Sequence, residues 1–322
     1  MYNELILFIL GIIGLWIGAG ITITGAEGIA KQFKISYLFV GLTILSIGTS
    51  LPEIFTHIMS SVKTVQGIEA TGIAVGTNIG SNIIQITLIM GIIGMLTTIK
   101  SSKEIQNRDG IIMLAAIAGL WLLGLNGTIS RIEGIILAVL YLVYLYWISR
   151  DEKSIKALID PHHKPMNGKK EHHILHNISL LAIGLIILGL GSTWVINNTL
   201  FFADLLNLQQ TFFGLMIIGV STALPELTTA LRGVMKGAKN MSLGVLIGSN
   251  ITNPMLALGI GAAITAQTID KTLIYFDIPF WFIISAIALL VFRNNNRLDR
   301  HEAVILIAAY IGYVAYKFYS II

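Results

Sequence analysis

The chain has 322 residues, of which 55% are hydrophobic and 12% charged, with a mean hydropathy of +0.80. Soluble domains carry about 25% charged residues because water must solvate their surface. A chain this poor in charge is excluded from that class, and the lipid bilayer becomes the partner of most of its surface.

Its apolar stretches are long and uninterrupted, as in Leu5 to Ile23 and Ile178 to Ile196. A membrane β-barrel strand reads instead as about ten residues of alternating polarity. Only a helix satisfies its backbone within such a run, so the fold class is all-α and polytopic. Taken in chain order, ten spans are predicted near residues 4–30, 37–63, 70–98, 110–126, 129–149, 176–197, 211–235, 241–267, 272–293 and 301–320. The first charge is Glu4 and no basic segment precedes the first apolar run, so that run is expected to be a retained span rather than a cleaved signal. Residues 150–175 form the one sizeable polar segment, with six Lys and Arg, and read as a solvated cytoplasmic linker.

The basic residues set the orientation. The connections after spans one, three, five, seven and nine hold seventeen of the 21 Lys and Arg. Only Lys63, Arg131, Lys271 and Lys317 fall on the other side. Basic loops stay cytoplasmic, so a multi-pass cell-membrane protein with both termini outside is expected. The net charge of +4 reflects this loop bias and gives no ground for a nucleic-acid partner. The chain has no cysteine, which excludes disulfides and thiolate metal centres.

One segment of the second span and one of the third repeat in the seventh and eighth. Gly41 to Glu53 reads G-L-T-I-L-S-I-G-T-S-L-P-E, and Gly214 to Glu226 reads G-L-M-I-I-G-V-S-T-A-L-P-E, 173 positions later. Gly80-Ser81-Asn82-Ile83 returns as Gly248-Ser249-Asn250-Ile251, 168 positions later. The copies lie five spans apart. Five is odd, so the second enters the membrane from the opposite side, which is the inverted-repeat plan of many secondary transporters. The expected units are residues 1–149 (helices 1–5), the linker 150–175, and residues 176–322 (helices 6–10).

The chemistry sits in the repeat. Glu53 and Glu226 each lie inside an apolar span, where a carboxylate is costly unless paired, protonated or bound to a cation. Pro52 and Pro225 precede them, and proline withholds a backbone donor and frees a carbonyl. Gly48, Thr49 and Ser50 crowd the first copy; Gly219, Ser221 and Thr222 crowd the second. Ser81 and Gln85, and likewise Ser249 and Asn253, are four apart and share a helix face. Gly76, Gly80, Gly244 and Gly248 are small enough for close helix approach. Every ligand type is a hard oxygen, which suits sodium, calcium, magnesium or manganese. Two ionised glutamates balance one calcium or two sodium ions, a physical basis for exchange. His57, four residues past Glu53, is read as a helix-end residue. No nucleophile and no H-E-x-x-H pattern point to an enzyme. A channel is disfavoured because its filter is built as a ring on an oligomer axis.

At these residues the sequence resembles the cation/calcium exchanger superfamily, in particular the prokaryotic sodium/calcium exchangers. Their two repeats carry a G-T-S-L-P-E segment followed by G-S-N, and Gly48 to Glu53 and Gly80 to Asn82 match in full. The resemblance implies a secondary antiporter exchanging sodium for calcium by alternating access, with a calcium/proton antiporter as the alternative. It implies a cation cluster between spans two, three, seven and eight. Glu53 and Glu226 would be the shared ligands. Thr49, Thr222, Ser50, Ser81 and Ser249 would add oxygens, with carbonyls from Ser46 and Gly219. Spans one and six would slide as a gate. Two departures stand out. Ala223 occupies a position usually held by a hydroxyl residue, and Gln85 and Asn253 are neutral where potassium-dependent relatives carry Asp. No cofactor is expected beyond the transported calcium and sodium, and the partners are inorganic cations and the bilayer around a monomer.

Overall fold

The computed structural model describes residues 2–32, 43, 45–155, 174–235 and 239–319. They form helical rods: α1 (Tyr2–Gln32), α2 in two pieces (Ser46–Thr49 and Leu51–Val65), α3 (Thr71–Leu96), α4 (Ile105–Gly124), α5 (Arg131–Ile155), α6 (Ile174–Leu206), α7 (Gln210–Met235), α8 (Lys239–Thr252, continuing to Ile264), α9 (Leu273–Asn295) and α10 (Arg300–Tyr319). Among the described residues, nine of these are long and apolar enough to cross a membrane. The exception is α2, whose expected entry from residue 37 lies outside the described residues, as does most of the linker, residues 156–173.

The burial pattern sorts the rods. α3 and α8 are enclosed on nearly all sides. The outer rods turn Leu5, Ile9 and Trp16 of α1, Ile136, Val139 and Val143 of α5, and Ile305 and Ile311 of α10 to the exterior. An apolar exterior of this extent is a surface made for lipid. α1 and α6 pack against each other along their length. Their backbones meet at glycine: a Cβ on Gly191 would stand 2.9 Å from the Gly11 carbonyl, and one on Gly18 3.0 Å from the Gly184 carbonyl.

Short ladders join the rod ends. β1 (Ile99–Lys100) pairs antiparallel with β4 (Arg297–Leu298), and β2 (Thr128–Ile129) with β3 (Gln267–Thr268). β3 lies 168 positions after β1, and β4 lies 169 after β2. Each ladder is therefore the other with its partners exchanged. Wider π-helical turns repeat as well: Gln85–Ile89 matches Asn253–Ala257, and Ile105–Asp109 matches Leu273–Asp277, each 168 apart.

α4 begins at Ile105, five residues before the predicted start at 110. Its first turn carries Arg108 and Asp109, which bond each other through Arg108 Nε at 3.0 Å, while the Tyr144 hydroxyl donates to Asp109 at 3.0 Å. The charges are satisfied locally and so do not end the helix. Likewise α6 runs past the predicted 197 through the polar pair Asn197 and Asn198, because the Asn198 amide bonds the Trp194 carbonyl at 2.7 Å.

Candidate functional site

The site forms where α2 and α7 break. Ser50 leaves helical geometry, with φ −82° and ψ 3°. Ala223, 173 positions later, does the same with φ −79° and ψ −6°. Both breaks sit two residues ahead of proline, which cannot donate to the turn behind it. Each new helix then starts with its glutamate in the first turn, where the exposed N–H groups and helix dipole favour negative charge. The close approach of α3 to α7 is set by glycine. A Cβ on Gly219 would lie 2.9 Å from the Ser81 backbone nitrogen.

Glu53 and Glu226 are both fully buried, and the negative field of Glu53 falls on Glu226. The Ser81 hydroxyl donates to Glu53 Oε1 at 2.6 Å, and Thr222 from the other repeat stands beside the same carboxylate. Thr49 and Ser249 stand beside Glu226, and their hydroxyls meet at 3.3 Å. Yet Glu53 Oε2, both Glu226 oxygens, Ser50 Oγ and Asn253 Oδ1 are buried with no hydrogen-bond partner among the described residues. Desolvating a carboxylate costs several kcal/mol per ion unless a counter-charge restores it. Carboxylate, hydroxyl and amide oxygens are the hard donor type that sodium and calcium take. Among the described residues no group of three or more His, Cys, Asp or Glu gathers, so the charge here rests on two glutamates, with hydroxyls around them.

The sequence-predicted residues are placed as follows. Glu53, Glu226, Thr49, Thr222, Ser81 and Ser249 converge, and Ser50 is buried at the break of α2. The carbonyls of Ser46 and Gly219 occupy matching places, and each already accepts a backbone N–H and a threonine hydroxyl. The Ser46 hydroxyl turns to Thr252 at 2.8 Å, which also meets the Tyr141 hydroxyl at 2.9 Å. Ser221 points away and bonds the Ile217 carbonyl at 2.9 Å. Gln85 faces the cluster with its amide nitrogen, donating to Ser81 Oγ at 3.0 Å, while its oxygen accepts from Asn250 at 2.9 Å.

His57 is not at a helix end. It lies in the middle of Leu51–Val65, fully buried, with Nε2 3.1 Å from Asn78 Nδ2 and Nδ1 3.2 Å from Gln267 Oε1. Its place on the face of α2 that carries Glu53, one turn on, brings it inside. Sequence reasoning also missed Asn78, Asn82, Asn250 and Trp281 as members of the surroundings. The Trp281 indole donates to Asn250 Oδ1 at 2.8 Å. The spacing of four between Asn78 and Asn82, echoing Ser81 and Gln85, was the available signal.

The description "Sodium/calcium exchanger protein" belongs to the family that matches residues 3–150 and again 176–319. The chain is 26% identical to the sodium/calcium exchanger MaX1 of Methanosarcina acetivorans, over 98% of this chain and 99% of that protein. It is 32% identical to the inner membrane protein YrbG of Escherichia coli strain K12, over 96% of this chain and 95% of that one. A solved structure of the sodium-calcium exchanger NCX_Mj, soaked with sodium and strontium, matches with a TM-score of 0.67 at 27% identity, covering 97% of each chain. This multi-pass membrane chain belongs to the sodium/calcium exchanger protein family.

Proposed function

We infer that this chain is a secondary antiporter that exchanges sodium for calcium by alternating access at the Glu53–Glu226 cluster. The observation that carries the reading is the pair of fully buried carboxylates, one per repeat, three of whose four oxygens have no partner among the described residues although hydroxyls from both repeats surround them. One calcium or two sodium ions balance their charge. The two cargoes then compete for the same oxygens, which is what obligatory exchange requires. The ligands are Glu53, Glu226, Thr49, Thr222, Ser50, Ser81, Ser249 and Asn253, with carbonyls of Ser46 and Gly219. Gln85 acts by holding the Ser81 hydroxyl on Glu53.

The architecture is ten spans in two inverted five-helix units, residues 1–149 and 176–322, joined by the cytoplasmic linker 150–175, with both termini outside. The exchanged partners of the two ladders and the repeated breaks at Ser50 and Ala223 support a two-fold relation between the units. The glycine-lined contact of α1 with α6 supports their sliding as the gate.

The test is calcium uptake into proteoliposomes loaded with sodium, compared with Glu226→Gln. Uptake that requires the outward sodium gradient and disappears in the variant supports exchange. Uptake that ignores sodium and follows a pH gradient would replace this reading with calcium/proton antiport.

A further inference from the structure

A buried string of hydrogen bonds links His57 to Asn253. Gln267 Oε1 faces His57 Nδ1 at 3.2 Å, His57 Nε2 faces Asn78 Nδ2 at 3.1 Å, Asn78 Oδ1 accepts from Asn82 Nδ2 at 3.1 Å, and Asn82 Oδ1 accepts from Asn253 Nδ2 at 3.1 Å. All five side chains are fully buried. The string has one direction only, and backbone carbonyls fix it. Asn78 Nδ2 also faces the Asn253 carbonyl at 2.7 Å, Asn82 Nδ2 the Asn78 carbonyl at 2.9 Å, and Gln267 Nε2 the Thr265 carbonyl at 2.9 Å. A carbonyl only accepts, so each of these amides must present its nitrogen there and its oxygen to the next member. It follows that His57 carries its proton on Nδ1 and accepts at Nε2. It follows too that Asn253 spends its nitrogen on Asn82 and keeps its oxygen, which is buried and has no partner among the described residues.

The fold does not need this string. The positions matching His57, Asn78 and Gln267 in the other repeat are Ala230, Leu246 and Ile99, all buried and apolar. The other repeat has the opposite polarity. There the Trp281 indole, which only donates, makes Asn250 present its oxygen, Asn250 donates to Gln85, Gln85 to Ser81, and Ser81 to Glu53. One string thus delivers donors to a carboxylate, and the other withdraws the donor of Asn253 and leaves its acceptor.

We propose that His57 is a positioning residue that, through Asn78 and Asn82, holds the Asn253 carboxamide with its oxygen toward the bound cation. The proposal rests on the cation-site reading above. Without His57, Asn78 loses one of the two acceptors that hold its amide nitrogen, and Asn253 turns its NH2 toward the ion more readily, exchanging an attractive dipole for a repulsive one.

The experiment is calcium titration of the purified full chain, read as calcium-dependent thermal stabilisation, in two backgrounds. His57→Phe keeps a planar ring, slightly larger than the imidazole, and removes both nitrogens. In the native background it is expected to weaken apparent calcium affinity by about tenfold. In an Asn253→Asp background the loss should shrink to less than about twofold, because a carboxylate offers an oxygen whichever way it turns. His57→Gln, which supplies an acceptor to Asn78 and a donor to Gln267, should restore affinity. Gln267→Leu, which releases the Nδ1 proton, should weaken binding in the same direction and serves if the phenylalanine variant does not fold. Equal losses in both backgrounds, or no rescue by glutamine, overturn the proposal and leave His57 a packing residue. Native protein that is not stabilised by calcium at all would instead defeat the cation-site reading.

Discussion

The Ser81 hydroxyl donates to Glu53 Oε1 at 2.6 Å while itself accepting from Gln85 at 3.0 Å. A hydroxyl has one proton, so the Gln85 amide decides that this proton goes to Glu53 and leaves the Ser81 lone pairs on the other side. The carboxylate is therefore partly neutralised by a dipole, and Glu53 Oε2 is left without a partner among the described residues.

From this follows the first expectation. Ser81→Ala removes the dipole and strands the Gln85 amide, and a hydrogen bond to a charged group is worth about 1.5–3 kcal/mol. Calcium-dependent stabilisation of the alanine variant should therefore shift to about tenfold or more higher calcium. Ser81→Thr, which keeps the hydroxyl, should shift it less. Equal shifts for both variants would remove Ser81 from the ion site.

Trp281 stands at the far end of the same string, 31 positions past Asn250 in sequence, and among the described residues its indole N–H is the one donor to Asn250 Oδ1. Trp281→Phe keeps most of the buried ring and leaves that oxygen unsatisfied. An abandoned buried acceptor costs about 1–3 kcal/mol, so the melting temperature should fall. Exchange should slow without vanishing, because Asn250 still donates to Gln85 and to the Leu246 carbonyl. A variant with unchanged melting temperature and unchanged uptake would show that the string does not brace Gln85.

The parts of this protein that were legible in sequence are those written locally. Spans follow from uninterrupted apolar runs, and Glu53 and Glu226 betray themselves by lying within them. The copy of the motif 173 positions on gave the pairing of sites. What sequence reasoning missed depends on contacts between distant residues. His57 looks like a residue one turn past the motif, and only Gln267, 210 positions away, and Asn78 on the neighbouring rod give it a reason to be buried. Gln85 and Asn253 occupy equivalent positions and both read as neutral ligands. Their amides turn opposite ways because the Trp281 indole takes the Asn250 oxygen and leaves its nitrogen to Gln85, whereas Asn78 takes the Asn82 nitrogen and leaves its oxygen to Asn253, and Trp281 and Asn78 lie outside the repeat motifs. The early start of α4 was missed because Arg108 and Asp109 read as a loop until each is seen to satisfy the other.

The α1–α6 contact makes a separate prediction about rate. A Cβ on Gly191 would lie 2.9 Å from the Gly11 carbonyl and 3.0 Å from the Leu15 nitrogen, closer than the packed backbones can accept without moving apart. Gly191 is remote from the glutamates in sequence and is not among the cation ligands. Gly191→Ala should reduce the turnover of sodium-driven calcium uptake several-fold, while calcium-dependent stabilisation changes little. A change in calcium affinity with unchanged turnover would argue that these two helices do not move relative to each other.

The last expectation concerns a buried charge away from the ion site. Asp277 is enclosed in α9 and bonded by Lys317 Nζ at 3.0 Å and the Tyr313 hydroxyl at 2.7 Å, both from α10. Asp109, 168 positions earlier, is held in the matching way by Tyr144 of α5, with Arg108 in place of the lysine. A buried pair is weak grounds for net stability, since its Coulomb gain mostly offsets desolvation, but removing one member leaves a bare buried charge and costs about 3–5 kcal/mol. Lys317→Met should therefore lower the melting temperature substantially. The double variant Asp277→Asn with Lys317→Met should recover most of that loss, because no charge is then stranded and Tyr313 still has an acceptor. Neither change touches the glutamate cluster, so sodium-driven uptake by the double variant should stay near that of the native chain. A double variant less stable than the single one would mean that the pair stabilises the α9–α10 junction in its own right, against the desolvation argument.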